Sequence, residues 1–324
     1  MTLNFGFNLK ESKKTIEPDQ NILYDILIVG GGPSGLNAAL YGARKGRKVA
    51  LIAKKAGGQL LNTNSVENYL GFESLSGEDM ADQFRSHLDQ YQVPILEDAE
   101  VSAIEKTDAG FKVGLRNGST YRGKTLIASL GSSPRKLGIP GEAEYANRGV
   151  AYCAICDAPL YKGKKVLLAG GGNSAVEAAI DVAMVAESVT LIHRSQLRAD
   201  QVLIDRMRSN PKIKVFLETQ ILEVIGDDAL RGVKVLDKAT QTQRIIEGDG
   251  LFIEIGNIPN TDLIKHLVSL NDKQEVLIDE KGQTSCLGLY ASGDMTVIPY
   301  KQIIIAAAEG AKAALAANEY LNTH

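Results

Sequence analysis

One pattern, written twice, limits what this chain can fold into. Residues 24–54 read YDILIVGGGPSGLNAALYGARKGRKVALIAK, and residues 164–194 read KKVLLAGGGNSAVEAAIDVAMVAESVTLIHR. Each is a short apolar run, a glycine turn, a stretch with helical spacing of apolar residues and a second apolar run. Such a run before a glycine turn reads as a strand, and the periodic stretch after it as a helix. Strand, helix and strand in that order make a βαβ unit whose two strands lie parallel. The spacing from Gly30 to Ala53 equals that from Gly170 to His193.

Both units lead into the same texture. Residues 101–123, VSAIEKTDAGFKVGLRNGSTYRG, carry two turn signals, Asp108-Ala109-Gly110 and Asn117-Gly118. Residues 221–250 repeat that strand-and-turn character. Each meander then reaches another apolar strand, TLIASLG at 125–131 and GLFIEIG at 250–256. The expected fold is therefore α/β, with two Rossmann-like three-layer dinucleotide-binding domains. Residues 288–321 have no glycine turn of this kind and are expected to return and complete the first domain. The second domain is then an insertion. Its expected span is 129–256, with 1–128 and 257–324 forming the first, and 324 residues suit two domains.

The glycines explain themselves chemically. Gly30, Gly32 and Gly35 form GxGxxG, filled by Pro33 and Ser34; Gly170, Gly172 and Ala175 form GxGxxA, filled by Asn173 and Ser174. The first glycine permits the tight turn, and the second lets a pyrophosphate approach the backbone. The third position, glycine or alanine, lets the helix pack closely on the strand. Either pattern alone is weak; its place between a strand and a helix is what gives it weight. At the end of the second strand an acidic residue would bond a ribose. The first unit has Ala53-Lys54-Lys55 there, while the second has His193 and Arg194, suited to a 2′-phosphate or simply a solvated strand end. The two sites differ, as two different dinucleotides would require.

Only three cysteines occur, and two of them, Cys153 and Cys156, form CxxC in AYCAICD. Such a pair reads as redox chemistry or half a metal site. A structural zinc needs four ligands, and no second CxxC or close histidine pair accompanies this one, so no metal is expected. Cys286 reads as a small buried apolar residue. The net charge of -3 and the lack of a long basic run give no reason to expect nucleic acid or an anionic membrane. No apolar run is long enough to span a bilayer, and the N-terminal MTLNFGFNLKESKK lacks the apolar core of a secretory signal. The expected location is the cytoplasm.

Taken together, GGGPSG, GGQLLNTNSVENYLG, AYCAICD, GGGNSAVEAA, GNIPNT and GLYASGDMTVIPYKQ resemble the low-molecular-weight thioredoxin reductase family over nearly the whole chain. The same stretches resemble the reductase core of the alkyl hydroperoxide reductase flavoprotein subunit. The resemblance implies FAD in the first domain, NADPH in the second, a homodimer, and a disulfide that reduces thioredoxin or a thioredoxin-like redoxin. By position, Gly30, Gly32 and Gly35 would hold the FAD pyrophosphate, with Gly58, Gln59, Leu60, Asn68, Gly131, Gly293, Asp294, Lys301, Gln302 and Ile303 around the flavin and its chain. Cys156 matches the cysteine that faces the flavin, Cys153 the one that attacks the protein substrate, and Asp157 the general acid. A positive helix terminus would favour the attacking thiolate. Arg194 and Arg198 would meet the 2′-phosphate.

Two departures bear on the donor and the first site. The family's HRRxxxR is HRSQLR here, and its ATG is SLG. The donor thus stays open among NADPH, NADH and reduced ferredoxin. An NADH-dependent reductase of a peroxiredoxin system is an alternative, and a dinucleotide-sensing protein is the non-enzymatic one.

Overall fold

The computed structural model describes residues 16–63 and 65–324, so the first 15 residues of the expected first domain lie outside the described residues. The chain divides into two compact units. The first holds the described residues up to Leu61, Gly77–Gly131 and Pro259–His324; the second holds Asn62–Ser76 and Ser132–Ile258. Residues 62–76, assigned to the first domain by sequence, therefore group with the second unit.

In the first unit the Leu23–Val29 strand is central, with Val49–Ile52 and Thr120–Ala128 parallel on either side. Ile95–Leu96 closes one edge, and Leu289–Ala291 pairs parallel to Thr120–Ala128. Ile26, Leu27 and Ile28 are all 0% exposed, which requires both faces of the sheet to be covered. Ile26 and Ile28 pack with alanines 313, 314, 316 and 317 of the Ile303–Thr323 helix and with the Pro33–Arg44 helix. Leu27 and Val29 face the other way, onto Phe111, Val113 and Leu115 of the antiparallel Val101–Thr107 and Gly110–Leu115 strands. The alternation of one strand thus separates two cores, giving three layers.

The second unit repeats the plan. Lys165–Ala169 is central in a five-stranded parallel sheet, ordered Ile213–Phe216, Ser188–Ile192, Lys165–Ala169, Gly250–Ile253 and Val150–Ala151. Leu168 and Phe252, paired in register, face the Asn173–Val185 helix, while Leu167 and Leu251 face the meander of Thr219–Gly226, Leu230–Asp237 and Thr242–Glu247. Among the described residues no helix is long and apolar enough to cross a membrane.

Candidate active site

Gly30 follows the central strand with φ +114°, which side chains other than hydrogen rarely adopt. A Cβ on Gly35 would lie 1.8 Å from the Gly30 carbonyl oxygen, so the helix approaches the strand this closely only without a side chain. Gly32 is different. Among the described residues no heavy atom lies within 4 Å of where its Cβ would stand, so glycine there leaves open space rather than relieving a clash. The Pro33–Arg44 helix behind that space has no side-chain cap and no acidic residue in its first turn, leaving its amides to an anion. These residues fit a dinucleotide pyrophosphate.

Three buried hydroxyls tie this turn to two distant segments. Ser34 Oγ donates to Ser292 Oγ at 2.7 Å, and Ser129 Oγ lies 2.9 Å from Ser292 and 3.4 Å from Ser34. Ser129 is one of the two residues by which SLG departs from ATG, and this contact gives that one a structural reason. A Cβ on Gly293 would lie 3.1 Å from the Ser34 side chain. Asp294 follows, its carboxyl raised above the usual range by burial, against which the Lys301 charge acts. Gly131 has φ +66°, with Gln59 Nε2 3.7 Å from where its Cβ would be. Gly58 and Leu60 lie in the short Gly58–Asn62 turn, and Gln302 caps the helix that Ile303 begins.

The Lys301 ammonium has three donors, and three acceptors meet it: Glu275 Oε1 at 3.2 Å and the carbonyls of Thr296 and Ile298 at 2.5 and 2.7 Å. Its side chain braces the loop. Asn68 lies in the segment grouped with the second unit. Sequence reasoning missed Glu309, whose buried Oε2 has no hydrogen-bond partner among the described residues while Oε1 accepts from Lys312.

The second turn repeats the first in detail. A Cβ on Gly170 would meet the Ala175 Cβ at 2.5 Å, and Gly172 again has nothing within 4 Å. The Asn173–Val185 helix likewise lacks a side-chain cap and a first-turn acid. Asn173 donates to the Asp200 carboxylate at 2.9 Å and accepts from its amide at 2.8 Å, while Ser174 is exposed. His193 departs from expectation. It is 7% exposed, its ring would sit 2.5 Å from a Cβ on Gly171, and Ser195 Oγ is 3.2 Å from its Nε2. Burial, then Arg198 and Arg194, hold its pKa below the ordinary value, so it is a neutral packing residue rather than a cation. The exposed positive groups here are Arg194 and Arg198, joined by Lys238, whose Nζ donates to the Arg194 carbonyl at 3.1 Å. Lys238 follows a meander strand, and no motif announced it.

Cys153 and Cys156 are disulfide-bonded, with Cα atoms 5.3 Å apart. The helix that carries them, Ala154–Asp157, is a single turn, too short for the dipole expected from sequence. Its local substitute is one amide, Cys156 N, which donates to Cys153 Sγ at 3.3 Å. Two carboxylates hold the turn. Glu142, 3% exposed, accepts from Tyr152 Oη at 3.0 Å and from the amides of Leu137 and Gly138 at 3.0 and 2.7 Å. Glu254 Oε1 accepts from Ala154 N at 2.9 Å. At the other end of the turn, burial raises Asp157 to about 6. Burial also raises Glu254, to about 7, against the opposing effect of the Ala154 amide. Two acids that hold protons near neutrality thus flank a reducible bond. Cys286 stands apart, half-buried against the first unit's core.

A family model for pyridine nucleotide-disulphide oxidoreductases matches residues 24–314. The chain belongs to that family. It is 44% identical to the F subunit of alkyl hydroperoxide reductase from Pseudomonas putida over 302 residues, covering 92% of this chain and 58% of the relative. The corresponding protein of Staphylococcus aureus (strain Mu50 / ATCC 700699) is 42% identical over 299 residues, covering 92% and 59%. The chain thus spans about three-fifths of the length of the curated relatives it matches. Among solved structures it is similar to thioredoxin reductase from Streptococcus pyogenes MGAS5005, with a TM-score of 0.89, 35% identity and coverage of 94% and 100%. Thioredoxin reductase from Giardia duodenalis aligns with a TM-score of 0.86, 27% identity and coverage of 92% and 99%. Two Rossmann-like domains and a disulfide are what the family and the fold share with this chain.

Two expected outcomes follow from this geometry. Gly32→Ala should melt like the parent yet lose bound flavin, whereas Gly35→Ala should cost about 1–3 kcal/mol of stability or more through overpacking. Flavin released per chain and thermal unfolding of the flavin-free protein distinguish them; undiminished flavin in Gly32→Ala refutes the cradle. The second outcome concerns Asp157, raised from 3.8 to about 6 on folding. Its stabilising contribution is complete below the unfolded value and is lost as the pH rises through the folded one. Asp157→Asn should therefore gain melting temperature relative to the parent at pH 8 more than at pH 4, and an equal difference at both would be inconsistent with the raised value.

Proposed function

We propose that this chain is a flavoprotein disulfide reductase, taking electrons from NADPH and delivering them through FAD and Cys153–Cys156 to a thioredoxin-like redoxin. The observation that carries the reading is the disulfide turn, flanked by Asp157 and Glu254, in the same unit as an open dinucleotide turn. FAD, when bound, passes two electrons from a nicotinamide to a disulfide. Gly30, Gly32 and Gly35 would seat its pyrophosphate, and Gly170, Gly172 and Ala175 that of the donor.

The cysteines do the rest. Two electrons and two protons open the Cys153–Cys156 bond into two thiols. Cys153, as thiolate, attacks one sulfur of the redoxin disulfide and releases the other as a thiolate. Cys156 then attacks the Cys153 sulfur, restoring the internal bond and freeing the reduced redoxin. Asp157, able to hold a proton near neutral pH, can donate one to a departing thiolate and recover it in the next cycle.

Arg194, Arg198 and Lys238 favour a 2′-phosphate, and the position of His193 offers no carboxylate to a plain ribose. NADPH is thus the first donor, ahead of NADH and reduced ferredoxin. The identity to the F subunit of alkyl hydroperoxide reductase supports a second reading of the acceptor, a redoxin that serves a peroxide-reducing system.

Cys153→Ser and Cys156→Ser should each abolish disulfide reduction while the flavin still bleaches with donor. Wild-type thioredoxin reduction by Cys153→Ser would end this assignment. Anaerobic bleaching with NADPH, NADH and reduced ferredoxin, side by side, tests the donor. NADPH should be preferred, and Arg194→Ala should weaken it by about 1.5–3 kcal/mol, roughly tenfold or more in KM, with NADH unaffected. Bleaching by ferredoxin alone would overturn the choice of NADPH.

A further inference from the structure

Glu254 is the one charged residue in the apolar run GLFIEIG, and the mechanism above gives it no task. Its backbone is fixed at the end of the Gly250–Ile253 strand, where its N–H donates to the Ala169 carbonyl at 2.8 Å. Its side chain reaches Ala154 N, the amide directly after Cys153, at 2.9 Å. Among the described residues no ion pair compensates this carboxylate. Titratable groups on the neighbouring elements include Asp157 and the two cysteines on the turn, Tyr152 with its partner Glu142 just before it, Tyr161 just beyond it, Lys165 on the paired strand, His193 beside Gly171, and Arg135, whose side chain would lie 3.9 Å from a Cβ on Gly256.

We propose that Glu254 is a positioning residue that governs when Cys153 becomes a thiolate. The proposal rests on the reading of Cys153 as the attacking thiol. Ionised, the carboxylate places a negative charge at the amide next to Cys153 and opposes a second one on the sulfur. Neutral, it still accepts the Ala154 N–H through its carbonyl oxygen, so the turn keeps its place while the repulsion disappears. A proton taken up by Glu254 as Cys153 loses one leaves the charge of the turn unchanged. Groups coupled in this way titrate as a pair, in two macroscopic steps. Burial, which lifts Glu254 to about 7, sets that exchange in the neutral range.

The test uses the whole chain, reduced with dithiothreitol and kept anaerobic. Iodoacetamide labelling of the Cys153 peptide is followed by mass spectrometry between about pH 5 and 9. The parent should show a two-step rate profile. Glu254→Gln, which keeps an acceptor and removes the charge, should lose the step that Glu254 contributes and bring the Cys153 midpoint lower by about one pH unit, giving roughly tenfold faster labelling below it. Glu254→Asp, which keeps the charge, should retain two steps. An unchanged midpoint in Glu254→Gln overturns the proposal, as does an equal shift in both variants, which would mark a purely structural role. Should Glu254→Gln fail to fold, infrared difference titration of Asp157→Asn, oxidised against reduced, must show a carboxyl whose midpoint moves with the redox state of the turn; a fixed midpoint overturns the proposal equally. Labelling needs neither donor nor redoxin, so its result stands apart from the Cys153→Ser turnover test.

Discussion

Everything in this fold hangs on how closely two helices approach two strands. At the first turn the Gly35 Cα faces the Gly30 carbonyl at a separation that excludes a methyl group, and at the second Ala175 takes the space that a side chain on Gly170 would need. That contact fixes each helix over its sheet and points its uncapped N-terminus at the strand ends. The open space at Gly32 and Gly172 is then a by-product of the packing, placed where amides need a partner. Substrate chemistry has been added to a geometry that core packing already demands.

The disulfide turn shows a different economy. Glu142 is buried with both carboxylate oxygens satisfied, by two amides and a hydroxyl. Glu254 and Asp157 are desolvated with little in return, and their raised pKa values record it. A carboxylate with full compensation is a brace; one without it costs stability above its pKa and keeps a proton available below it. The contrast within one short turn separates scaffold from chemistry.

Periodicity made the architecture legible, because each βαβ unit is local and its glycines are indispensable to it. The CxxC pair and the two turns could be read for the same reason. Short strands such as Val150–Ala151 and Ile213–Phe216 carry too few residues for a pattern, and only the parallel neighbours beside them make them strands. His193 misled because a strand-end histidine looks solvated until the close approach of Gly171 is known. The carbonyl partners of Lys301 were illegible because they depend on a loop path that sequence does not encode in any simple period. Glu254 and Lys238 act through contacts across the fold, and the single hint was a charge in GLFIEIG.

The serine cluster has a consequence for how the protein is made. Ser34 and Ser292 are 258 positions apart, and their bond closes the first unit only after the second has been threaded between them. On the ribosome the segment through Ile258 emerges whole while the first sheet still waits for Leu289–Ala291. The thiol-bearing half can therefore mature before the half expected to hold its flavin is complete. In that interval its cysteines answer to the redox poise of the cell and not to their own cofactor.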